Sequence, residues 1–581
     1  MKQNKLTIIF FSLLVALAFM ACNDDLLEKH PLDEVSSADF FKQPSDMQIY
    51  VNQFYTNALL PVYYGPVLGT KYRGGGDDFN SDNMIIGSLI DPRLMGSRTV
   101  GYEGRVRWDF SEVRSVNYFF DNYHKCESDF NSYKQYVGEA YFFRALIYYQ
   151  LLQTFGDVPV VTKTLNTDSP ELYEPRTPRN QVADRIIQDL DSAAILMSDL
   201  KTDGVSRINK WMALAVQSRV ALYEGTWEKY HANDDFKAQE SNPEKYLRKA
   251  VEAASQVMNS GLFDIYSTGN PDKDYNDLFA QRDYSSNPEV LLWKKFSTAL
   301  NINNNKNYQL EYPNDKSVTK DLADAYLCKD GKPIKVSPFY KGDNTLMDEM
   351  QDRDPRFKQT IFTPDAPWMI NETNTAFWKD VYDQVNTNTK FNAPSGYVLR
   401  KGYDPRMEYH SLNYEETPSV VYRYAEVLLN YAEAKAELGE LTQNDIDISI
   451  KKLRDRVGMP NLIISDISSD PEWDFPSLSP VINEIRRERR VELASEGFRW
   501  DDIARWAAAE ELIVGKRPKG AKANQFTDFY PVDEKGYLDP FKGSLPNGYG
   551  FDLKRDYLNP IPESQIVLNP NLKQNPGWQT N

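Results

Sequence analysis

The stretch VYRYAEVLLNYAEAKAELGEL, Val421 to Leu441, decides the fold class. Ala425, Leu428, Leu429, Ala432 and Ala436 recur at spacings of three, four and seven, so they line one face of an α-helix. Gly439 then supplies a C-terminal stop. Ala432, Ala434 and Ala436 are small, which lets a neighbouring helix approach closely. A segment of this kind belongs in paired helices.

Outward from it, EAYFFRALIYYQLLQTFGDVPVV behaves alike: Phe143, Leu146, Ile147, Gln150 and Leu151 share a face, and Gly156-Asp157-Val158-Pro159 ends it. The spacing predicts further helices over 46–59, 112–130, 179–197, 210–227, 243–259, 444–456, 480–496 and 498–512. Helix pairs with alanine and aromatic residues at their contacts suggest a mainly α fold, a tetratricopeptide-like superhelical scaffold whose repeat is about 34 residues, with minor short β-hairpins.

Three stretches lack this periodicity. From 265 to 417 the chain is rich in Asn, Asp, Pro and Gly (STGNPDKDYND, NINNNKN, TPDAPWMINETN, FNAPSGY); Pro61–Trp108 carries TKYRGGGDDFNSDN, and Lys516–Asn581 is a Pro-rich tail. Binding groups are commonly borne on such loops when a rigid frame holds them. The organisation read from this is a leader at 1–21, a tether at 22–42, a helical region at 43–264 with its loop at 61–108, a loop-rich ligand-facing insertion at 265–417, and a second helical region with the tail at 418–581.

The amino terminus has the order of a secretory signal: Lys2 and Lys5, then an apolar run from Leu6 to Ala18 broken only by Thr7 and Ser12. As a helix that run rises only ~20 Å, short of a ~30 Å hydrocarbon core. Phe19-Met20-Ala21-Cys22 resembles the lipobox at which bacterial lipoproteins are cut and acylated, with Phe19 in place of the usual Leu. Cys22 is therefore the expected lipidation site, and cleavage leaves 560 residues (581 less 21). Stable anchoring takes more than one acyl chain, which lipoprotein processing supplies.

Net charge narrows the partners. The full chain carries a formal −17, and loss of Lys2 and Lys5 makes it −19. So acidic a body avoids polyanions, which argues against nucleic acid and against anionic lipid as principal partners. Cys126 and Cys328 do not make a disulfide framework and are expected free and buried. The chain has no Walker loop, no His-Glu-x-x-His and no Gly-x-Ser-x-Gly, and its four histidines supply a metal centre or a histidine triad poorly. No cofactor and no metal are expected. DKDYND, Asp272–Asp277, starts like a calcium loop, but Asp277 stands where the loop needs glycine, so an ordinary solvated loop is expected. In RRERRVELASEG, acids alternate with Arg486, Arg487, Arg489 and Arg490; pairs such as Glu484 with Arg487 and Arg489 with Glu492 lie one turn apart, each contributing a few tenths of a kcal/mol.

Six blocks are more specific: EAYFFRALIYYQLLQTFGDVPVV, YEPRTPRNQVADRIIQDLDSA, RINKWMALAVQSRVALYEG, YRYAEVLLNYAEAKAELGEL, IRRERRVELASEGFRWDDIARW and YLNPIPESQIVLNPNLKQNPGW. Their order resembles that of the SusD/RagB family of outer-membrane lipoproteins of Bacteroidetes, over practically the whole chain after Cys22. The resemblance implies a tetratricopeptide-like scaffold that caps a SusC-like TonB-dependent transporter and delivers oligosaccharide or polysaccharide to it without catalysis; some relatives handle peptides. It also implies that Asp24 and Asp25 act as an acidic surface-export signal, so that the protein faces the cell exterior.

Sugar recognition needs flat aromatic faces and planar polar groups that bridge adjacent hydroxyls. The first irregular stretch offers Tyr72, Arg73, Asp77, Asp78, Asn83 and Trp108, and the insertion offers Trp293, Tyr308, Trp368 and Trp378. Two other readings stay open: a surface glycoside hydrolase or lyase, since two carboxylates are defined only by their separation in space, and a peptide- or protein-binding scaffold with the same fold.

Overall fold

The computed structural model describes residues 40–56, 59–60, 78–79, 81–101, 107–201, 207–412, 414–527 and 530–578. Cys22 and the leader lie outside them, as do Tyr72, Arg73 and Asp77.

The frame is a row of packed helices: α1 (Pro44–Asn52), α2 (Ser111–Asn122), α3 (Lys134–Phe155), α4 (Arg179–Leu196), α5 (Lys210–Tyr230) and α6 (Pro243–Asn259). Their starts follow local chemistry. Asn209 caps α5 by accepting from the N–H groups of Trp211 and Met212, and Asn242 caps α6, whose first residue is Pro243. α3 stops at Gly156, which takes φ +71. α3 and α4 run antiparallel, since Gly138 near the start of α3 meets Met197 while Asp157 beyond its end accepts from the Arg179 N–H at 2.8 Å. α5 and α6 pack tightly at Gly225, where a Cβ would stand 2.9 Å from Leu247 Cγ and 3.0 Å from its backbone nitrogen. These antiparallel pairs form the expected tetratricopeptide-like scaffold.

After the insertion the row resumes with α7 (Tyr424–Glu437), α8 (Pro480–Glu492) and α9 (Arg499–Arg505). The predicted stripe of α7 is buried, and so is its opposite face: Asn430 donates to the Ser218 hydroxyl at 3.0 Å, and Glu433 pairs with Arg505 at 2.5 Å. Several predicted helices are shorter than their patterns. The 112–130 pattern breaks where the Asn122 amide turns back onto the Tyr118 carbonyl at 2.7 Å. The 498–512 pattern is interrupted at Ala507, which takes φ +51.

The arginine-rich block is structural: the expected pair of Glu484 with Arg487 forms at 3.4 Å, whereas Arg489 and Glu492 take other partners. Arg486, Glu488, Arg489, Arg490 and Glu492 are all buried. Arg489 turns to Asp502 at 2.9 Å, and Glu492 is held by Arg456 at 2.5 Å, Arg423 at 2.7 Å and Arg356 at 2.9 Å. Burial pushes the Glu492 carboxyl up, and the three guanidiniums outweigh it, holding the group well below the usual carboxylate range. A few tenths of a kcal/mol is the scale of exposed pairs; these groups have lost water and stand or fall together.

The insertion is built of short elements around a hydrophobic core of its own, with Leu322, Tyr326, Phe357, Phe362, Trp378 and Tyr397 at its centre. Its apolar residues are too irregularly spaced to show a period. Of the three two-stranded antiparallel sheets among the described residues, only Pro367–Ile370 with Thr375–Phe377 is a local hairpin; Met84–Ile86 pairs with Lys316–Val318, and Val290–Lys294 with Ser419–Arg423. Asp274 of DKDYND opens a short helix instead of a solvated loop: it is fully buried, and Ser267, Thr268 and Asn270 donate to its carboxylate. Both cysteines are free; Cys328 is buried and Cys126 half-buried.

Candidate functional site

The three irregular stretches meet on one surface. Asn314 and Asp315, two consecutive non-glycine residues in the left-handed region at φ +46 and +72, carry the turn that brings them together. Asn and Asp tolerate that conformation best, because their short polar side chains bond locally. The turn is tied to the other end of the insertion through Asn314 N–H to the Lys390 carbonyl (3.1 Å) and Asp315 N–H to the Asn392 carbonyl (2.7 Å). It is tied to the first stretch through Gly87 N–H to the Asp315 carbonyl (2.9 Å) and Ser88 N–H to Asp315 Oδ2 (2.6 Å). Gly87 is required here, since a Cβ would fall 2.4 Å from Asp315 Oδ1 and 2.5 Å from Pro394 Cγ.

The tail completes the site with Tyr530. Asn392 Nδ2 donates to Asp315 Oδ1 at 2.8 Å and to the Tyr530 hydroxyl at 2.9 Å. That hydroxyl lies 3.1 Å from Asn392 Oδ1. Burial raises the Tyr530 phenol, so it stays a neutral hydroxyl. Together these residues line an open trough of about 460 Å³. An amide, a carboxylate and a phenol, each held by the others, are groups of the kinds that can hydrogen-bond vicinal hydroxyls.

Beside the trough runs an aromatic cluster: Tyr308 and Tyr312 at 5.3 Å, Tyr312 and Phe391 at 5.4 Å, then Phe391 and Trp368 at 5.8 Å. Two expected ligand aromatics, Tyr308 and Trp368, are thus brought into one cluster. Trp368 is 8% exposed and Trp378 1%, both inside the insertion core, while Tyr308 is half-buried on its rim. Trp293 lies apart, buried in the main core against Tyr284. Asp78 and Asn83 are buried as well: Asp78 accepts from Asn83 Nδ2 and from Ser495 N–H, and Asn83 Oδ1 accepts from Arg490 at 2.8 Å. They pin the first stretch to the helical frame. Asp315, Asn392 and Tyr530 were not among the sequence candidates, which sought polar groups only in the first stretch and aromatics in the insertion; the turn signals Pro313-Asn314-Asp315 and Asn392-Ala393-Pro394 were the available clue.

Trp108 lies elsewhere, half-buried with its ring edge-on to Phe110 and Phe155. It divides two adjoining clefts of about 510 and 400 Å³. The larger is mostly apolar, and Leu172, Tyr173 and Leu568 on its rim are 44%, 54% and 67% exposed.

Residues 276–578, just over half of the chain, match the model of the SusD family, and residues 31–222 match a family described as starch-binding associating with outer membrane. The chain belongs to the SusD family. This SusD-family protein is 26% identical to SusD-like protein P2 of Formosa agariphila over the whole of both chains, and 24% identical to SusD-like protein P38 of the same organism over 88% of this chain and 94% of that one. Among solved structures, a SusD-like carbohydrate binding protein of Bacteroides fragilis superposes with TM-score 0.69 at 21% identity, covering 92% of this chain and 100% of its own. A laminarin binding SusD-like protein superposes with TM-score 0.57 at 18% identity over 92% and 100%. These neighbours share the fold. Among the described residues of the SusD-family protein, no helix is long and apolar enough to cross a membrane.

Proposed function

We propose that this SusD-family protein is a lipid-anchored outer-membrane protein, facing the cell exterior, that binds a glycan chain in the trough at Asp315, Asn392 and Tyr530 and passes it to a SusC-like TonB-dependent transporter. The observation that carries the reading is the convergence of the first stretch, the insertion and the tail on one open surface with pre-arranged polar groups. An open trough suits a chain that extends beyond its ends, where a closed cavity would take only a short ligand. The residues lining it supply one carboxylate, whereas glycoside cleavage by the usual route needs a facing pair, so capture without cleavage is favoured.

Two or three sugar hydrogen bonds and as many ring contacts, at ~1 kcal/mol each, sum to an upper limit of roughly −4 to −6 kcal/mol before ordering costs. This corresponds to a Kd between about millimolar and tens of micromolar. Weak capture lets the ligand go, and tethering keeps it near the channel.

Calorimetric titration of the purified protein with a panel of polysaccharides and peptides, together with an assay for new reducing ends, tests the reading. Binding of a polysaccharide without cleavage supports it. Cleavage makes the protein an enzyme, and binding of peptides alone makes it a peptide carrier. Co-purification with a large outer-membrane barrel tests the handover.

A further inference from the structure

Asp315 differs from Asp539 of the tail and Asp404 of the insertion in the charge of its surroundings. Asp539 is paired with Arg517 and Lys519, and Asp404 with Arg282 and Arg406. The groups described around the Asp315 carboxylate are neutral donors: the Ser88 N–H, the Asn392 amide and the Tyr530 hydroxyl. The neighbouring cations are directed elsewhere, the Lys316 ammonium to Gln309 Oε1 at 3.2 Å and the Lys390 ammonium over the Tyr312 ring at 5.0 Å. Nor can the carboxylate swing aside, because both its oxygens are bonded and Gly87 leaves it no spare room. The trough therefore presents one fixed negative charge, on a body whose formal charge is already −17.

Resting on the glycan reading of the trough, we propose that the site selects uncharged polysaccharides and that Asp315 turns away chains bearing carboxylate or sulfate groups. A neutral sugar hydroxyl donates to the carboxylate, a charge-assisted hydrogen bond. A uronate or a sulfate ester needs a guanidinium or ammonium at that place and meets a like charge instead, at a distance where screening by salt is incomplete. The rejection is thus electrostatic and has its own salt signature, separate from the fit of the sugar ring.

The test uses the full chain in detergent and matched probes: laminarin, amylose and xylan, each unmodified, hydroxyethylated as a neutral control for bulk, and carboxymethylated. For whichever backbone binds, the carboxymethyl form is expected to bind at least about tenfold more weakly than the hydroxyethyl form at ~0.05 M salt, and the gap is expected to close severalfold at ~0.5 M salt. Asp315→Asn is expected to narrow the low-salt gap to about threefold, and the salt series on the unaltered protein stands by itself if that variant folds poorly. Equal or tighter binding of the carboxymethyl form, or a gap that Asp315→Asn leaves in place, overturns the selection while the glycan reading stands. Failure of every neutral and charged probe to bind removes the glycan reading and this inference with it.

Discussion

Oδ2 of Asp315 accepts the backbone N–H of Ser88 at 2.6 Å, joining two positions 227 residues apart. A single carboxylate thereby welds the first irregular stretch to the insertion, and its other oxygen reaches the amide of Asn392. The trough depends on that weld, so its smallest neighbours are its most sensitive points.

Gly87→Ala places a methyl group where Asp315 Oδ1 and Pro394 Cγ stand. The expected outcome is a loss of glycan affinity of about tenfold, with the melting temperature changed by less than about 3 °C because the helical frame is untouched. Titration and thermal unfolding of the same preparation separate the two effects.

Asn392→Ala and Tyr530→Phe each remove a donor from the trough, and each is expected to weaken glycan binding by about five- to twentyfold with helicity unchanged. Trp108→Ala and Tyr72→Ala belong in the same series. If Trp108→Ala abolishes binding while the trough variants bind normally, the ligand lies in the Trp108 clefts instead.

Glu492→Gln leaves Arg456, Arg423 and Arg356 facing a neutral amide in a buried setting, and is expected to cost about 3–5 kcal/mol by chemical denaturation at pH 7. Glu492 is held well below the usual carboxylate range in the folded state despite burial, and in a neighbouring buried cluster Glu433 is held at about 2 beside Arg505. A depressed folded value contributes stability that is complete above the unfolded carboxylate near pH 4.3 and is lost as pH falls toward the folded value. The protein is therefore expected to lose stability below about pH 5, and the cost of Glu492→Gln to shrink as pH falls below about 4.3, where the unfolded carboxyl takes up a proton that the native one still refuses.

Gly225→Ala drives a methyl group into the backbone of Leu247. Although alanine favours a helix over glycine, the tight contact of Gly225 with Leu247 must open, with an expected cost of about 1–3 kcal/mol by denaturant titration. An unchanged midpoint would show that the pair has room to spare.

Cys22→Ala is expected to abolish fatty-acid labelling and release the protein from the membrane fraction. Labelling that persists in the variant would place the lipid elsewhere.

How much of this was legible in the sequence differs from residue to residue. The stripe of Ala425, Leu428, Leu429 and Ala432 could be read directly, because a helix converts spacing along the chain into a face, and all four are fully buried. The aromatics Tyr308 and Trp368 could be named but not placed from the sequence, since ring chemistry suits a core as well as a sugar. The burial of the arginine-rich block was hidden for a different reason. Arg489 and Glu492 stand one turn apart in α8, yet their partners come from Asp502, Arg456, Arg423 and Arg356, which a local pattern cannot name.

By itself the sequence determined the paired-helix frame, the irregular stretches that depart from it, and the family to which the chain belongs. These rest on short-range periodicity and on ordered blocks, both of which are properties of the chain as written. Only the tertiary structure decided that Ser88, Asp315, Asn392 and Tyr530 share one surface, and that the tryptophans proposed for the ligand lie beneath it or apart from it. Contacts across hundreds of residues follow from how the elements pack, and no local spacing encodes them.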